Sequence, residues 1–292
     1  MLILISDAFD PSLPGRLEPL GEVTDDKSRV AEAEIVLIRS KTKCTREYID
    51  QAPKLKMIIR GGVGLDNVDR EYAKEKGIQV HNTPEASSVA VAELTLALMI
   101  ASVNHIVAGH NGMVQGKWLK KELKRTELYQ KTLGLLGIGR IAREVATRAK
   151  AFGMKVIAHD PYVDQSDVAE MVALDALLAQ ADFISLHTPL TDETKGMINA
   201  DRLAQMKQGV IIVNTGRGKC IDEAAMVKAL ESGQVRCYAT DVWPSDPPPD
   251  DCPLPSAPNV LMTPHIGASS KENLLRIGDM VVDKITAYKA AR

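Results

Sequence analysis

The chain has 292 residues, a formal net charge of −2, 45% apolar residues and 25% charged ones. That length accommodates two domains, each burying its own core, and the composition is that of an ordinary globular enzyme. The near-neutral balance leaves no electrostatic footprint for nucleic acid or a membrane surface, so neither is expected as a partner.

The chain opens Met1-Leu2-Ile3-Leu4-Ile5-Ser6-Asp7, with no basic leader and with Asp10 close behind. It therefore reads as a first strand rather than a signal peptide. Short apolar runs at 2–6, 35–39, 57–59 and 79–81 give a first set of about four strands. Residues 89–103 are apolar nearly all round. A helix of that kind must be buried, between domains or at a subunit interface, and its longest apolar stretch, 89–100, contains Glu93 and is too short to span a bilayer. A second set of six runs follows at 132–137, 155–159, 183–187, 210–214, 238–241 and 260–262. Helical patterns separate the runs, which predicts an α/β fold with parallel sheets. The expected architecture is two doubly wound parallel-sheet domains. A Rossmann nucleotide domain, 94–263, is inserted into a smaller flavodoxin-like substrate domain built from 1–93 and 264–292. Two chain crossings make a hinge, and closure on ligands is expected. Residues 244–258 hold seven prolines, cannot be regular structure, and form a loop long enough to suggest use. The four cysteines (Cys44, Cys220, Cys237, Cys252) lack metal-ligand spacing and read as free thiols of a reducing cytoplasm.

Gly137-Ile138-Gly139-Arg140-Ile141-Ala142 follows an apolar run and opens a helix. Gly137 permits a tight turn, and Gly139 lets the backbone approach a pyrophosphate at the helix terminus beside Arg140 and Ile141. Alone, such a turn serves equally as structural punctuation. Asp160 strengthens the nucleotide reading, because it ends the next strand, where a carboxylate accepts the ribose hydroxyls and repels a 2′-phosphate. No arginine occurs in Pro161-Tyr162-Val163, so NAD is favoured over NADP.

The chain resembles the D-isomer-specific 2-hydroxyacid dehydrogenases over nearly its whole length. The matching motifs, in order, are Arg60-Gly61-Gly62-Val63-Gly64-Leu65-Asp66-Asn67-Val68-Asp69, Asn82-Thr83-Pro84, Val91-Ala92-Glu93 and the glycine turn. They continue with His187-Thr188-Pro189-Leu190-Thr191, Asn214-Thr215-Gly216-Arg217-Gly218, Asp241-Val242-Trp243 and Thr263-Pro264-His265-Ile266-Gly267-Ala268. The resemblance implies that Arg217 binds the carboxylate and carbonyl of the substrate and that His265 is the acid–base. It also implies that Asp241 accepts from the nicotinamide carboxamide and that Thr188, Thr215, Gly216, Gly267 and Ala268 line the cofactor. These roles suit the residue types. A guanidinium grips a carboxylate with paired bonds and polarises the neighbouring carbonyl, while an imidazole supplies the proton that an alkoxide needs. His187 is the competing histidine, read as structural or cofactor-facing.

The carboxylate that should hold His265 departs from the family, which usually has glutamate before the proline where this chain has Asp246-Pro247. Asp250 and Asp251 are nearby alternatives with the wrong spacing. Ser87 and Thr126 stand where asparagine and glycine are usual. Val63 and Gly64 form a backbone nest suited to a substrate carboxylate. Arg39, in the basic stretch Arg39-Ser40-Lys41-Thr42-Lys43, is read as facing a substrate phosphate, with a solvated basic loop as the alternative. The expected reaction is NAD-dependent interconversion of a D-2-hydroxyacid and a 2-oxoacid, with 3-phospho-D-glycerate, at the head of serine synthesis, as the expected substrate. Hydroxypyruvate, glyoxylate or lactate chemistry is the alternative, and a non-catalytic NAD-sensing protein is a reading of another class. A cytoplasmic homodimer built on residues 89–103 is expected, without a C-terminal regulatory domain.

Overall fold

The computed structural model describes residues 1–291 and contains two compact units, Met1–Ala90 with the segment from Ala268 onward, and Val91–Gly267.

The first unit is a five-stranded parallel sheet of β1 (Leu2–Ile5), β2 (Glu22–Thr24), β3 (Ile35–Ile38), β4 (Met57–Arg60) and β5 (Gln79–Asn82), ordered β2-β1-β3-β4-β5. This is the flavodoxin-like order. Five strands stand where about four were expected. β2 escapes the pattern because it is a three-residue edge strand with no fully buried side chain. The side-chain alternation of a strand splits the core in two. Leu4, Val36, Ile38 and Ile58 pack on one face. Ile3, Ile35, Leu37 and Ile59 pack on the other, against Ile277, Val281 and Ile285. Those three lie at i, i+4 and i+8 of the Lys271–Ala290 helix and are fully buried. Each contributes roughly 1.5–3 kcal/mol of apolar transfer.

The second unit is a seven-stranded parallel sheet of β6 (Thr132–Leu136), β7 (Lys155–His159), β8 (Glu170–Met171), β9 (Phe183–Leu186), β10 (Val210–Asn214), β11 (Val235–Thr240) and β12 (Val260–Met262). Its order, β12-β11-β10-β9-β6-β7-β8, is the doubly wound 3-2-1-4-5-6 arrangement with a seventh strand added at the edge. Six were expected. The unforeseen β8 has two residues and carries no hydrophobic run. β11 starts three residues earlier than its pattern suggested, because Arg236 interrupts the apolar signal.

The helix Ser88–Asn104 is longer than foreseen by one residue at each end. Its Leu96, Leu98, Met99 and Val103 are buried within the core of the second unit, so most of its apolar surface is satisfied there. His105, at φ 52°, ends it, and Ile106–Val114 follows as a separate helix. No single helix among the described residues is long and apolar enough to cross a membrane. The proline-rich segment is irregular apart from one 3-10 turn, Leu254–Ser256, which the proline count alone did not foresee.

Candidate active site

The glycine turn sits between β6 and the Arg140–Ala151 helix. Gly137 has φ +88°, and a Cβ there would lie 2.9 Å from the His187 carbonyl oxygen, so both backbone and packing demand glycine. Gly139 is different. Its φ is −68°, which any residue adopts, and no protein atom lies within 4 Å of where its Cβ would be. Neither backbone nor protein packing requires glycine at this position, directly before a three-turn helix whose first amides lack intrahelical acceptors. A pyrophosphate against that terminus fits this space. Ala142 is fully buried against the sheet, which is the packing task of the third position in the motif.

Asp160 is partly engaged in building the cradle. Its carboxylate accepts Ile138 N and Tyr162 N, each at 3.0 Å, which ties the glycine turn to the end of β7. A carboxylate has about four acceptor sites, so it retains capacity for ribose hydroxyls. Pro161 and Arg140 are exposed beside it, and Ile141 is half-buried. Thr215 Oγ1 bonds Thr95 Oγ1 at 2.8 Å, while Thr188 Oγ1 lies 3.8 Å from Cys220 Sγ. A Cβ on Gly216 would approach the Leu186 carbonyl to 2.9 Å, which brings the end of β10 close to that of β9.

His187 bonds Ser185 Oγ through Nε2 at 2.9 Å. Part of the residue reaches the surface, but burial of the ring pushes its pKa down to about 4. The folded chain therefore keeps it neutral, whereas an unfolded histidine protonates near 6.5. Between those values the unfolded state binds more protons. The stability from this site is complete above about pH 6.5 and is lost as pH falls toward 4, by roughly 3 kcal/mol in all. Urea melts across that window are expected to show a shallower pH slope for His187→Gln than for the parent; equal slopes contradict the assignment.

Three strand ends carry the remaining groups. Asn214 of β10, Thr240 of β11 and Met262 of β12 are level with one another in register. Arg217, Asp246 and His265 follow them in turn, all at the carboxyl edge where ligands of doubly wound sheets bind. Adjacent strands lie about 4.8 Å apart, so Arg217 and His265 leave strands roughly 10 Å apart. The connecting loops interlock. A Cβ on Gly218 would fall 2.3 Å from the Trp243 carbonyl carbon, and Trp243 Nε1 donates to Thr263 O at 3.1 Å. Asn214 Nδ2 donates to Arg217 O at 3.0 Å, and the half-buried Arg217 guanidinium donates to Gly216 O at 2.8 Å.

Asp246 Oδ2 lies 2.5 Å from His265 Nδ1, with both side chains about 30% exposed, at 28% and 31% respectively. The shorter acid thus reaches the ring directly, with no water between. An ionised Asp246 only accepts, so Nδ1 carries the proton and Nε2 is left to exchange one. His265 has φ +55°, a left-handed conformation costly for a histidine. Asp241 stabilises it. This carboxylate, 2% exposed, accepts Thr263 Oγ1 at 2.6 Å and the amides of Ile266 and Gly267 at 2.8 Å each. Three of its roughly four acceptor sites are therefore engaged in shaping the histidine loop, and one is left for a carboxamide. Sequence reading missed this bracing, since backbone amides carry no residue-type signal.

In the first unit, Asn82 Nδ2 donates to Val63 O at 2.6 Å and Gly62 N donates to Thr83 Oγ1 at 2.8 Å. These bonds shape the Gly61–Gly64 turn, and among the described residues no backbone acceptor is paired with the Val63 and Gly64 amides. Arg39 follows β3, and Arg60 ends β4 opposite Ile38. The Arg60 guanidinium crosses Gly62, where a Cβ would lie 2.1 Å from Nη1. Arg60 carries no signal of its own in the sequence; the register of β4 with β3 sets its backbone beside that of Arg39. Arg39 donates to Ala268 O at 2.9 Å and to Ala8 O at 3.4 Å. Ala268, expected to line the cofactor, has its carbonyl engaged in the first unit. Among the described residues no group of three or more His, Cys, Asp or Glu side chains is placed to hold a metal ion.

A glycine turn with open space at Gly139, a carboxylate at the end of the next strand and an imidazole–carboxylate pair on the same sheet edge together fit a dinucleotide-dependent oxidoreductase. Residues 96–267 match the family described as D-isomer specific 2-hydroxyacid dehydrogenase, NAD binding domain. The chain is 49% identical over 259 residues to hydroxypyruvate reductase of Thermotoga maritima, covering 88% of this chain and 85% of that one. It is 43% identical over 297 residues to D-3-phosphoglycerate dehydrogenase of Methanocaldococcus jannaschii, covering 97% of this chain and 56% of that one. The chain thus spans about half the length of the phosphoglycerate dehydrogenases it matches. The D-lactate dehydrogenase of Aquifex aeolicus, solved with NAD and lactic acid, matches with a TM-score of 0.89 at 31% identity, covering 99% of this chain and 95% of that one. The chain belongs to the D-isomer specific 2-hydroxyacid dehydrogenase family, and its cofactor is NAD.

Proposed function

We propose that the chain interconverts a D-2-hydroxyacid and its 2-oxoacid, with 3-phospho-D-glycerate as the substrate oxidised. The 2.5 Å contact between Asp246 and His265 carries the reaction type. NAD, when bound, supplies the hydride acceptor. His265 Nε2 takes the hydroxyl proton as the carbonyl forms, and returns it in the reverse direction. Asp246 fixes the tautomer and ring orientation, and its charge stabilises the imidazolium that results. Arg217 holds the substrate carboxylate and neutralises charge that builds on the carbonyl oxygen.

The phosphate in this reading is assigned to Arg39 and Arg60, with exposed Lys41 and Lys43 in the same loop. Hydroxypyruvate and D-glycerate are the second reading. It is favoured by the Thermotoga relative and by the two Arg39 nitrogens already bonded to carbonyls. Rates of NADH formation from 3-phospho-D-glycerate and D-glycerate separate them. Arg39→Ala is expected to lower kcat/KM for the phosphorylated acid by about 10- to 100-fold, the worth of a charged hydrogen bond, and to spare D-glycerate. Preference for D-glycerate by the parent selects the second reading, and NAD binding without turnover of any acid selects a sensor.

We also propose a homodimer, through a different surface from residues 89–103. Ile106, Val107, Met113, Val114 and Trp118, all within one short stretch of chain, are exposed by 48–75%, which supports a covering partner for this stretch. Sedimentation is expected to give a dimer for the parent and a monomer for Met113→Asp; a monomeric parent contradicts the proposal.

A further inference from the structure

Arg39 Nε and Asn273 Oδ1 are buried polar atoms of the first unit with no hydrogen-bond partner. The two residues meet at one carbonyl. Ala268 O accepts Arg39 Nη2 at 2.9 Å and Asn273 Nδ2 at 2.8 Å, which uses both of its lone pairs. Asn273 Nδ2 also lies 3.3 Å from Ser87 Oγ. A carbonyl can only accept, so the orientation of this amide is fixed: nitrogen toward Ala268, oxygen toward the unpartnered side.

Asn273 is fully buried in the first turn of the Lys271–Ala290 helix. Helix capping does not explain it, because Ser270 Oγ is the cap and Asn273 contributes only its backbone amide there. Filling space does not explain it either. An apolar side chain of similar shape would fill the same space without burying the unpaired Oδ1, at the cost of the amide bond to Ser87 Oγ. What the amide does is hold two points of chain. Ser87 lies three residues before the sequence leaves this unit, and Ala268 is the first residue after it returns.

The hold passes on to Arg39. Its backbone is pinned on both sides, N–H to Asp7 Oδ2 at 2.6 Å and C=O from Asn67 Nδ2 at 2.7 Å. The guanidinium is then settled by two carbonyls, and the 2.9 Å bond to Ala268 O is much the better one. We infer that Asn273 is a positioning residue for substrate recognition, acting through the Ala268 carbonyl to fix the direction in which the Arg39 guanidinium is presented to an anionic substituent of the substrate. This rests on the assignment of Arg39 to the substrate phosphate.

The test is steady-state kinetics of Asn273→Ala, Asn273→Leu and the double variant Ser87→Asn/Asn273→Ala, each with 3-phospho-D-glycerate and with D-glycerate. In the double variant the amide is offered to the same spot from the other side. Asn273→Ala and Asn273→Leu are expected to raise KM for the phosphorylated acid by about five- to tenfold, the worth of one neutral hydrogen bond. The kcat and the KM for D-glycerate should hold, and the double variant should recover most of the loss. The leucine variant removes the unpaired oxygen without leaving a hole, but Ser87 Oγ loses its amide donor, so its melting temperature should fall slightly and by less than that of Asn273→Ala. An unchanged KM in both single variants, while Arg39→Ala raises it, overturns the inference and leaves the substrate reading intact. An unchanged KM in Arg39→Ala as well overturns the substrate reading itself, and the inference with it. Parallel losses of kcat, KM for both acids and melting temperature identify a merely structural residue, which also overturns it.

Discussion

Replacing His265 by glutamine is expected to lower kcat by about 10²- to 10⁴-fold in both directions, with NAD affinity unchanged. Glutamine fills similar space and can still donate to Asp246, so the loop that Asp241 braces should persist. It cannot exchange a proton near neutral pH, and that is the function removed. Asp246 gives a graded companion result. Asp246→Asn keeps the size but removes the charge that opposes the imidazolium, so it should fall between the parent and His265→Gln. The 2.5 Å contact leaves little room for a longer acid unless its loop shifts. Asp246→Glu therefore reports how far this loop adapts. Single-turnover rates with saturating NAD separate chemistry from cofactor release. A His265→Gln enzyme within tenfold of the parent would mean that another group moves the proton.

Arg217→Lys is expected to be nearly as damaging as Arg217→Gln, lowering kcat/KM by about 10²- to 10³-fold. Lysine keeps the charge, so a purely electrostatic task would be largely preserved. A planar fork that meets a carboxylate with two parallel bonds is not reproduced by an ammonium. The loop itself should survive, because Asn214 Nδ2 holds the residue 217 carbonyl and Gly218 packs on the Trp243 backbone, both independent of the side chain. Equal melting temperatures would confirm that the loss is one of recognition. Arg217→Lys close to wild type would reduce the arginine to a general positive field.

The parts of this molecule legible in the sequence are those written in residue type at short range. Central strands such as β3 and β10, buried on both faces, appear as unbroken apolar runs. Gly137 is legible because a positive φ demands it, and Gly139 because a motif surrounds it. The edge strands β2 and β8 were not legible, since two or three residues with little burial leave no periodicity. Long-range polar bracing was hidden for another reason. Asp241 is held by amides 25 and 26 residues on, and Asn273 by a carbonyl and a serine that only the fold assembles. The helix Ser88–Asn104 was recognisable as buried, but its apolar faces could not reveal which core they enter.

The most direct measurement is NADH formation from paired D and L enantiomers of 2-hydroxyacids, by the parent chain and by His265→Gln under identical conditions. The proposed chemistry predicts turnover of D-acids alone, and its near-complete loss in the variant while NAD still binds. Turnover of L-acids, or an undiminished rate without the imidazole, would contradict it.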